Sequence, residues 1–167
     1  MIVNIHQRIL RAPITQVGEL IDGLSSPADS LWPKEHWPAM RFDRPLQVGA
    51  VGGHGPIRYV VESYQPGRSI CFRFTAPRGF LGTHRFSVEK IAVDRMRLCH
   101  TIEMRVTGFA RLSWPLVFRP LHDALLEDAL TKAERYLSSA PVTGRKWSLW
   151  VRLLRWTLTR RRRSARH

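Results

Sequence analysis

The chain has 167 residues, of which 44% are hydrophobic, and this length and composition suit one globular domain with a sizeable core. No apolar run approaches the roughly 18 residues that a membrane-spanning helix needs. The first residues also lack the basic flank and apolar segment of a secretory leader. We therefore expect a cytoplasmic protein, in which the two cysteines, Cys71 and Cys99, stay reduced.

The net charge of +14 is concentrated at one end of the chain. Residues 139–167 contain nine basic residues and no acidic residue, which leaves 18 basic and 13 acidic residues in the first 138. A net charge of +5 on this larger part is modest. The composition of the body therefore does not favour nucleic acid as a partner.

The first third of the chain predicts a strand followed by helices. Residues 2–10 mix apolar and polar side chains as a half-buried strand does. The apolar residues within 17–24 keep helical spacing, and residues 27–31 predict a second short helix. Two Trp-Pro pairs, at Trp32 and Trp37, then frame a loop that suits either a lid or simple packing of the rings.

Short runs separated by turn residues follow, and they predict five further strands. The runs are residues 40–48, 57–64, 69–75, 82–91 and 96–106. No long helix separates them, which favours an antiparallel meander and a sheet of about six strands. The glycine-rich run at residues 52–55 precedes a strand rather than a helix, so we interpret it as a hairpin and not as a phosphate-binding loop.

Residues 114–137 predict a long amphipathic helix. Its apolar arc includes Leu125, Leu126 and Leu130, and His122 lies within that arc. A helix of this kind needs an apolar surface to cover, and the strands supply one. The sequence therefore predicts an α+β fold, in which a curved antiparallel sheet wraps around the helix.

Four segments resemble the SRPBCC superfamily, which includes START domains, polyketide cyclases and birch-pollen-allergen-like proteins. They are GGHGPIRYVVESYQPGR (52–68), FRFTAPRGFLGTHRFSVE (72–89), LCHTIEMR (98–105) and WPLVFRPLHDALLEDAL (114–130), and they look like those of an uncharacterised bacterial subgroup. The resemblance covers residues 1–138 and implies the helix-grip fold. It also implies a cavity between sheet and helix for an apolar ligand such as a lipid or polyketide, without implying one reaction.

Strand alternation and the helical arc select the side chains that would face this cavity. The predicted lining is Tyr59, Phe72, Phe74, His84, Phe86, His100, Ile102, Met104, Phe118, His122, Leu126 and Leu130. Four of these, Tyr59, His84, His100 and His122, are candidate acid–base catalysts, as in a cyclase or dehydratase. One alternative is that these groups bind a ligand without catalysing a reaction. The other is that the histidines are simply hydrogen-bonded within the filled core of a structural or partner-binding protein.

We predict no cofactor and no metal. A three-histidine site of His84, His100 and His122 is conceivable, but their spacing is not that of a metal-binding motif.

Residues 139–144 resemble a linker, and residues 145–167 form a basic amphipathic tail. Tryptophans beside arginines are typical of a helix that lies on an anionic membrane. The residues predicted to contact such a surface, at the inner face of the membrane, are Trp147, Trp150, Arg152, Arg155, Arg160, Arg161, Arg162 and Arg163. Packing against the same domain or another subunit, contact with nucleic acid, and disorder are the alternatives.

Overall fold

The computed structural model describes the backbone of residues 1–164 and the side chains of residues 1–158. The side chains of Arg160, Arg161, Arg162 and Arg163 therefore lie outside the described residues. Within the described part of the chain, no helix is long and apolar enough to cross a membrane.

Seven antiparallel strands form one curved sheet, in the spatial order β1-β7-β6-β5-β4-β3-β2. Strands β4 to β7 are joined by tight turns, whereas β1 pairs with β7 along its whole length, from Ile2 opposite Met104 to Leu10 opposite Met96. The strands are β1 (Ile2–Leu10), β2 (Arg41–Phe42), β3 (Val51–His54), β4 (Ile57–Gln65), β5 (Ser69–Ala76), β6 (Phe80–Ala92) and β7 (Arg95–Val106).

The helices follow the predicted order. They are α1 (Ile14–Asp22), α2 (Ala110–Ser113), a π-helical turn (Trp114–Phe118), α3 (Arg119–Leu137) and α4 (Leu149–Ser164). The buried residues of α3, which include Leu126 and Leu130, join the inner face of the sheet in one core. This arrangement confirms the predicted helix-grip architecture.

Three details before β4 differ from the prediction. The strand predicted at residues 40–48 is limited to Arg41–Phe42. Residues 23–40 form turns rather than a second helix, because Ser25 adopts a positive φ of 66° and the Asp29 carboxylate accepts bonds from the Ser25, Leu31 and Trp32 amides. The glycine-rich run forms strand β3, so the sheet has seven strands. Gly52 is required there, since a Cβ would collide with the Arg41 carbonyl oxygen.

The tail is fastened to the domain by one carboxylate on α3. Asp128 Oδ2 accepts hydrogen bonds from the indole nitrogens of Trp37, at 2.7 Å, and Trp147, at 2.9 Å. The Arg155 guanidinium lies over both indole rings, 4.2 and 4.0 Å from their centroids. The loop after α1, the linker end and α4 therefore meet at a single point on α3.

A second contact fastens α4 to the π-helical turn. The Trp150 indole nitrogen donates to the Leu116 carbonyl oxygen at 2.8 Å. In an α-helix the Leu116 carbonyl would accept from the N–H four residues later, but that residue is Pro120, which has no N–H. The oxygen is therefore available to a side-chain donor. Val151 is buried beside these contacts.

We predict that Asp128→Ala lowers the free energy of unfolding by about 2–3 kcal/mol, because two indole donors lose a charged acceptor. Denaturant unfolding measures this change, and limited proteolysis would show faster cleavage between α3 and α4. The control is Asp94→Ala in the exposed β6–β7 turn, where we expect less than about 0.5 kcal/mol. Equal effects of the two substitutions would contradict the proposed role of Asp128.

Candidate functional site

Nine of the twelve residues predicted to line a cavity are buried between the sheet and α3, and Phe74, Phe118 and His122 are partly buried. The nine are Tyr59, Phe72, His84, Phe86, His100, Ile102, Met104, Leu126 and Leu130. Strand alternation thus places the seven strand residues among them on the inner face of the sheet, as expected, and Leu126 and Leu130 face them from α3. The His84 ring stacks between Phe72 and Phe74, with 4.8 Å between ring centroids on each side.

Polar rings form a continuous row through this apolar interior, which we call the imidazole row. It consists of His54, Tyr59, His84, His100, His122 and His6. His54 Nδ1 lies 3.1 Å from the Tyr59 hydroxyl, and His84 Nδ1 lies 3.2 Å from His100 Nε2. The ring centroids of His100 and His122 are 5.0 Å apart. The row therefore runs from the β3–β4 hairpin to strand β1.

Four nitrogens of the row are buried without a hydrogen-bond partner. They are His84 Nε2, His100 Nδ1 and both nitrogens of His122. His122 Nδ1 is 3.6 Å from the Asp123 carboxylate, which is too long for a hydrogen bond. Leaving a buried polar atom unsatisfied costs about 1–3 kcal/mol, so these four atoms are the positions in the row that could form a further hydrogen bond.

Burial keeps the row uncharged at neutral pH everywhere except at its His6 end. Desolvation lowers the pKa values of His54, His84, His100 and His122, and neighbouring imidazoles contribute in the same direction for all four. Desolvation also raises the pKa of the Tyr59 hydroxyl, which therefore stays protonated. These four histidines and Tyr59 therefore present neutral donors and acceptors rather than charges.

The end of the row at β1 was not predicted from the sequence. His6 faces α3, where its Nδ1 lies 3.0 Å from Glu127 Oε1 and its Nε2 lies 3.0 Å from Asp123 Oδ1. Burial opposes protonation of His6, but the two carboxylates outweigh it and raise the pKa. Arg8 continues the pattern by binding Glu127 and Glu134.

A signal for this contact was present in the sequence. Asn4, His6 and Arg8 alternate along β1, and the acidic residues of α3 lie just outside its apolar arc. The polar side chains of β1 can donate hydrogen bonds to the carboxylates of α3 once β1 is placed beside that helix.

Two cavities open near the other end of the row. The larger has a volume of about 370 Å³, and its lining includes Phe42, His54, Arg41 and Arg58. The smaller, of about 250 Å³, lies between the loop after α1 and the start of β2. None of the twelve predicted residues lines either cavity. The aromatic and imidazole rings among them pack against one another instead. The larger cavity meets them indirectly, since His54 binds Tyr59 and Phe42 stacks on Phe72 at 5.8 Å.

Only some of the described tail residues that were predicted to contact a membrane point away from the domain. Trp147 and Arg155 face the domain, whereas Trp150 and Arg152 are exposed. The outward apolar surface also includes residues of α2 and the π-helical turn that were not predicted. Its members, which we call the apolar patch, are Phe109, Leu112, Leu116, Leu149, Trp150, Leu153, Trp156 and Leu158.

No protein-family model and no curated protein matches the sequence. Solved structures do match the fold. A protein from Thermobifida fusca has a TM-score of 0.61 and 13% identity, over 86% of this chain and 100% of its own. CalU16 from Micromonospora echinospora has a TM-score of 0.59 and 13% identity, over 93% and 83% of the two chains.

Norcoclaurine synthase from Thalictrum flavum, solved with dopamine and hydroxybenzaldehyde, matches with a TM-score of 0.60 and 16% identity, over 83% of this chain and 89% of its own. These similarities show a shared helix-grip fold, while the resemblance to the SRPBCC superfamily and to its bacterial subgroup stays a prediction from the sequence. At such identities the shared feature is the fold, and the function has to be argued from the residues of this chain.

The buried histidines predict a fall in stability at acid pH. An imidazole whose folded pKa is below the unfolded value of about 6.5 contributes stability that is complete above pH 6.5 and is lost as the pH falls toward the folded pKa. We expect His84→Phe to reduce the slope of unfolding free energy against pH, between pH 6 and pH 5, by up to about 1.4 kcal/mol per pH unit. Denaturant unfolding at several pH values tests this.

The control for this experiment is Val93→Ala, which shortens an exposed side chain without a titratable group and should leave the slope unchanged. A slope in His84→Phe that equals that of the unmodified protein would contradict the assignment of His84 as a neutral buried group.

Proposed function

We propose that this protein binds an apolar or aromatic small molecule that carries a hydroxyl or carbonyl group, between the sheet and α3. The observation that carries the proposal is the set of four buried imidazole nitrogens without partners in an interior otherwise made of hydrocarbon and aromatic rings. A ligand with one or two polar atoms would satisfy these nitrogens, and its apolar remainder would contact the walls.

The 370 Å³ cavity supports a route of entry. Its wall contains Phe42, whose ring contacts both Tyr59 and Phe72, and β2, to which Phe42 belongs, is a two-residue edge strand. Rotation of this one side chain would join the cavity to the interior. A volume of about 370 Å³ lies within the usual range for small-molecule sites.

The lowered pKa values favour binding over acid–base catalysis. A general base works best when its pKa lies near the operating pH, and burial moves His54, His84 and His100 away from that value. The same groups are well suited to hydrogen bonding as neutral rings. A cyclase- or dehydratase-like activity is therefore the second hypothesis, and a filled core that binds a protein partner is the third.

The test compares 2-naphthol with naphthalene, which have the same apolar body and differ by one hydroxyl. We expect 2-naphthol to bind the full chain at least tenfold more tightly, because its hydroxyl can pair with a buried imidazole nitrogen. We expect His100→Phe to remove this preference and His36→Ala to keep it. Fluorescence titration gives both affinities, and native mass spectrometry of the purified protein would reveal a co-purified ligand.

Failure of both compounds to bind, with no co-purified ligand, would contradict the proposal and favour the filled core. Equal affinities for the two compounds would contradict the role given to the imidazoles.

We also propose that the apolar patch rests on an anionic membrane surface, so that an apolar ligand can be exchanged with lipid. Leu149 on α4 is 80% exposed, Phe109 just before α2 is 79% exposed, and α4 contacts the π-helical turn that follows α2 through Trp150 and Leu116. Exposed basic side chains accompany the patch along the chain, at Arg111, Arg119, Arg145, Lys146 and Arg152. Apolar groups with cations beside them are what an interfacial helix needs.

Co-sedimentation with vesicles tests this surface. We expect the protein to pellet with mixed phosphatidylserine–phosphatidylcholine vesicles more than with phosphatidylcholine alone. Leu149→Glu combined with Leu153→Glu should weaken binding to the mixed vesicles by about tenfold or more, since two apolar anchors are lost and two repelled charges are gained. Val93→Glu is the matched control, because Val93 is also exposed but lies in the β6–β7 turn. Equal pelleting of both variants would contradict the proposal.

A further inference from the structure

We propose that His6, His122 and Asp123 bind a divalent first-row transition-metal ion, for which Zn(II) is the test ion. One donor atom from each of these residues lies within 4.8 Å of the other two, where β1 faces the first turns of α3. The sequence had suggested only a conceivable site of His84, His100 and His122. In the described part of the chain, the donor cluster includes neither His84 nor His100.

The distances between donor atoms suit a common metal ion. His6 Nε2 lies 3.0 Å from Asp123 Oδ1, and His122 Nδ1 lies 3.6 Å from the same oxygen. Ligands that each bind zinc at about 2.0–2.2 Å in tetrahedral geometry lie roughly 3.3 Å apart. Small side-chain rotations would therefore place all three atoms at bonding distance from one ion.

Neighbouring side chains already hold the donors in the orientation that a metal needs. Glu127 Oε1 lies 3.0 Å from His6 Nδ1, so that this carboxylate can accept the Nδ1 proton and leave Nε2 free to bind a metal. Arg8 in turn binds Glu127 Oε2 at 3.1 Å. Asn4 donates to Asp123 Oδ1 at 3.0 Å. A carboxylate behind a histidine ligand is a recurrent feature of zinc sites.

The unsatisfied atoms beside the cluster are the independent observation. Both ring nitrogens of His122 are buried without a hydrogen-bond partner, and so is Asn4 Oδ1. An ion bound by His122 Nδ1 would satisfy one of these atoms directly. A metal-bound water would be able to donate to another, since three protein ligands leave a coordination position open.

The donor set and its charges decide the class of ion. Two imidazoles and one carboxylate favour zinc, iron, cobalt or nickel over calcium and magnesium, which prefer oxygen ligands. Asp123 and Glu127 supply two negative charges, and Arg8 and Arg119 lie beside them, with Arg119 Nε 3.7 Å from Asp123 Oδ2. A bound dication would place its positive charge between these two carboxylates.

The experiment titrates the metal-free full chain with Zn(II) by calorimetry and with Co(II) by visible absorption. We expect one ion per chain, and Co(II) bands of the intensity of four- or five-coordinate sites. His6→Ala and Asp123→Asn should each weaken binding at least tenfold, and Glu127→Gln about 10–100-fold, because it orients His6. His36→Ala, which removes an exposed histidine outside the cluster, should not change the affinity.

Binding of Zn(II) that is no tighter in the unmodified chain than in a His6→Ala, Asp123→Asn double variant would overturn the proposal. So would a Co(II) spectrum of hexa-aqua type. Circular dichroism verifies that each variant is folded. If His6→Ala does not fold, the affinity of the unmodified chain is compared with that of Asp123→Asn alone. The metal titration is independent of 2-naphthol binding, so either proposal can fail without the other.

Discussion

The position of α3 across the inner face of the sheet is the constraint on which the other features depend. Its apolar residues, among them Leu126 and Leu130, close the core, while its acidic residues bind β1 on one flank and the tail on the other. Asp123 and Asp128 lie five positions apart, so they project from different sides of the helix. One helix therefore closes the interior, completes the His6 cluster and anchors α4.

The interior combines two properties that oppose each other energetically. Aromatic and aliphatic side chains exclude water, and this makes each unsatisfied imidazole nitrogen costly. A structural core would gain stability if leucine or phenylalanine replaced these histidines. A chain that keeps His84, His100 and His122 in such surroundings gives up stability at these positions, and the proposed ligand would offset this cost by pairing with their nitrogens.

Helix α4 has two different faces, and they serve different contacts. The inner face, with Val151 and Arg155, is held by apolar burial and by the cation–π contact of Arg155 with Trp147, which precedes the helix. The outer face exposes Leu149 and Leu153 beside the basic side chain of Arg152. The inner contacts fix the orientation of the helix, so that the outer face forms one surface with α2 and the π-helical turn.

The sequence by itself determined the fold class and most of the inward-facing residues, because strand alternation and helical spacing report which face of each element is apolar. It also located the charge in the tail. It did not determine that His6 meets Asp123 and Glu127, that Asp128 holds two indoles, or that Trp147 and Arg155 point inward. These contacts join residues some 20 to 120 positions apart, and only the tertiary structure decides which faces of distant elements meet.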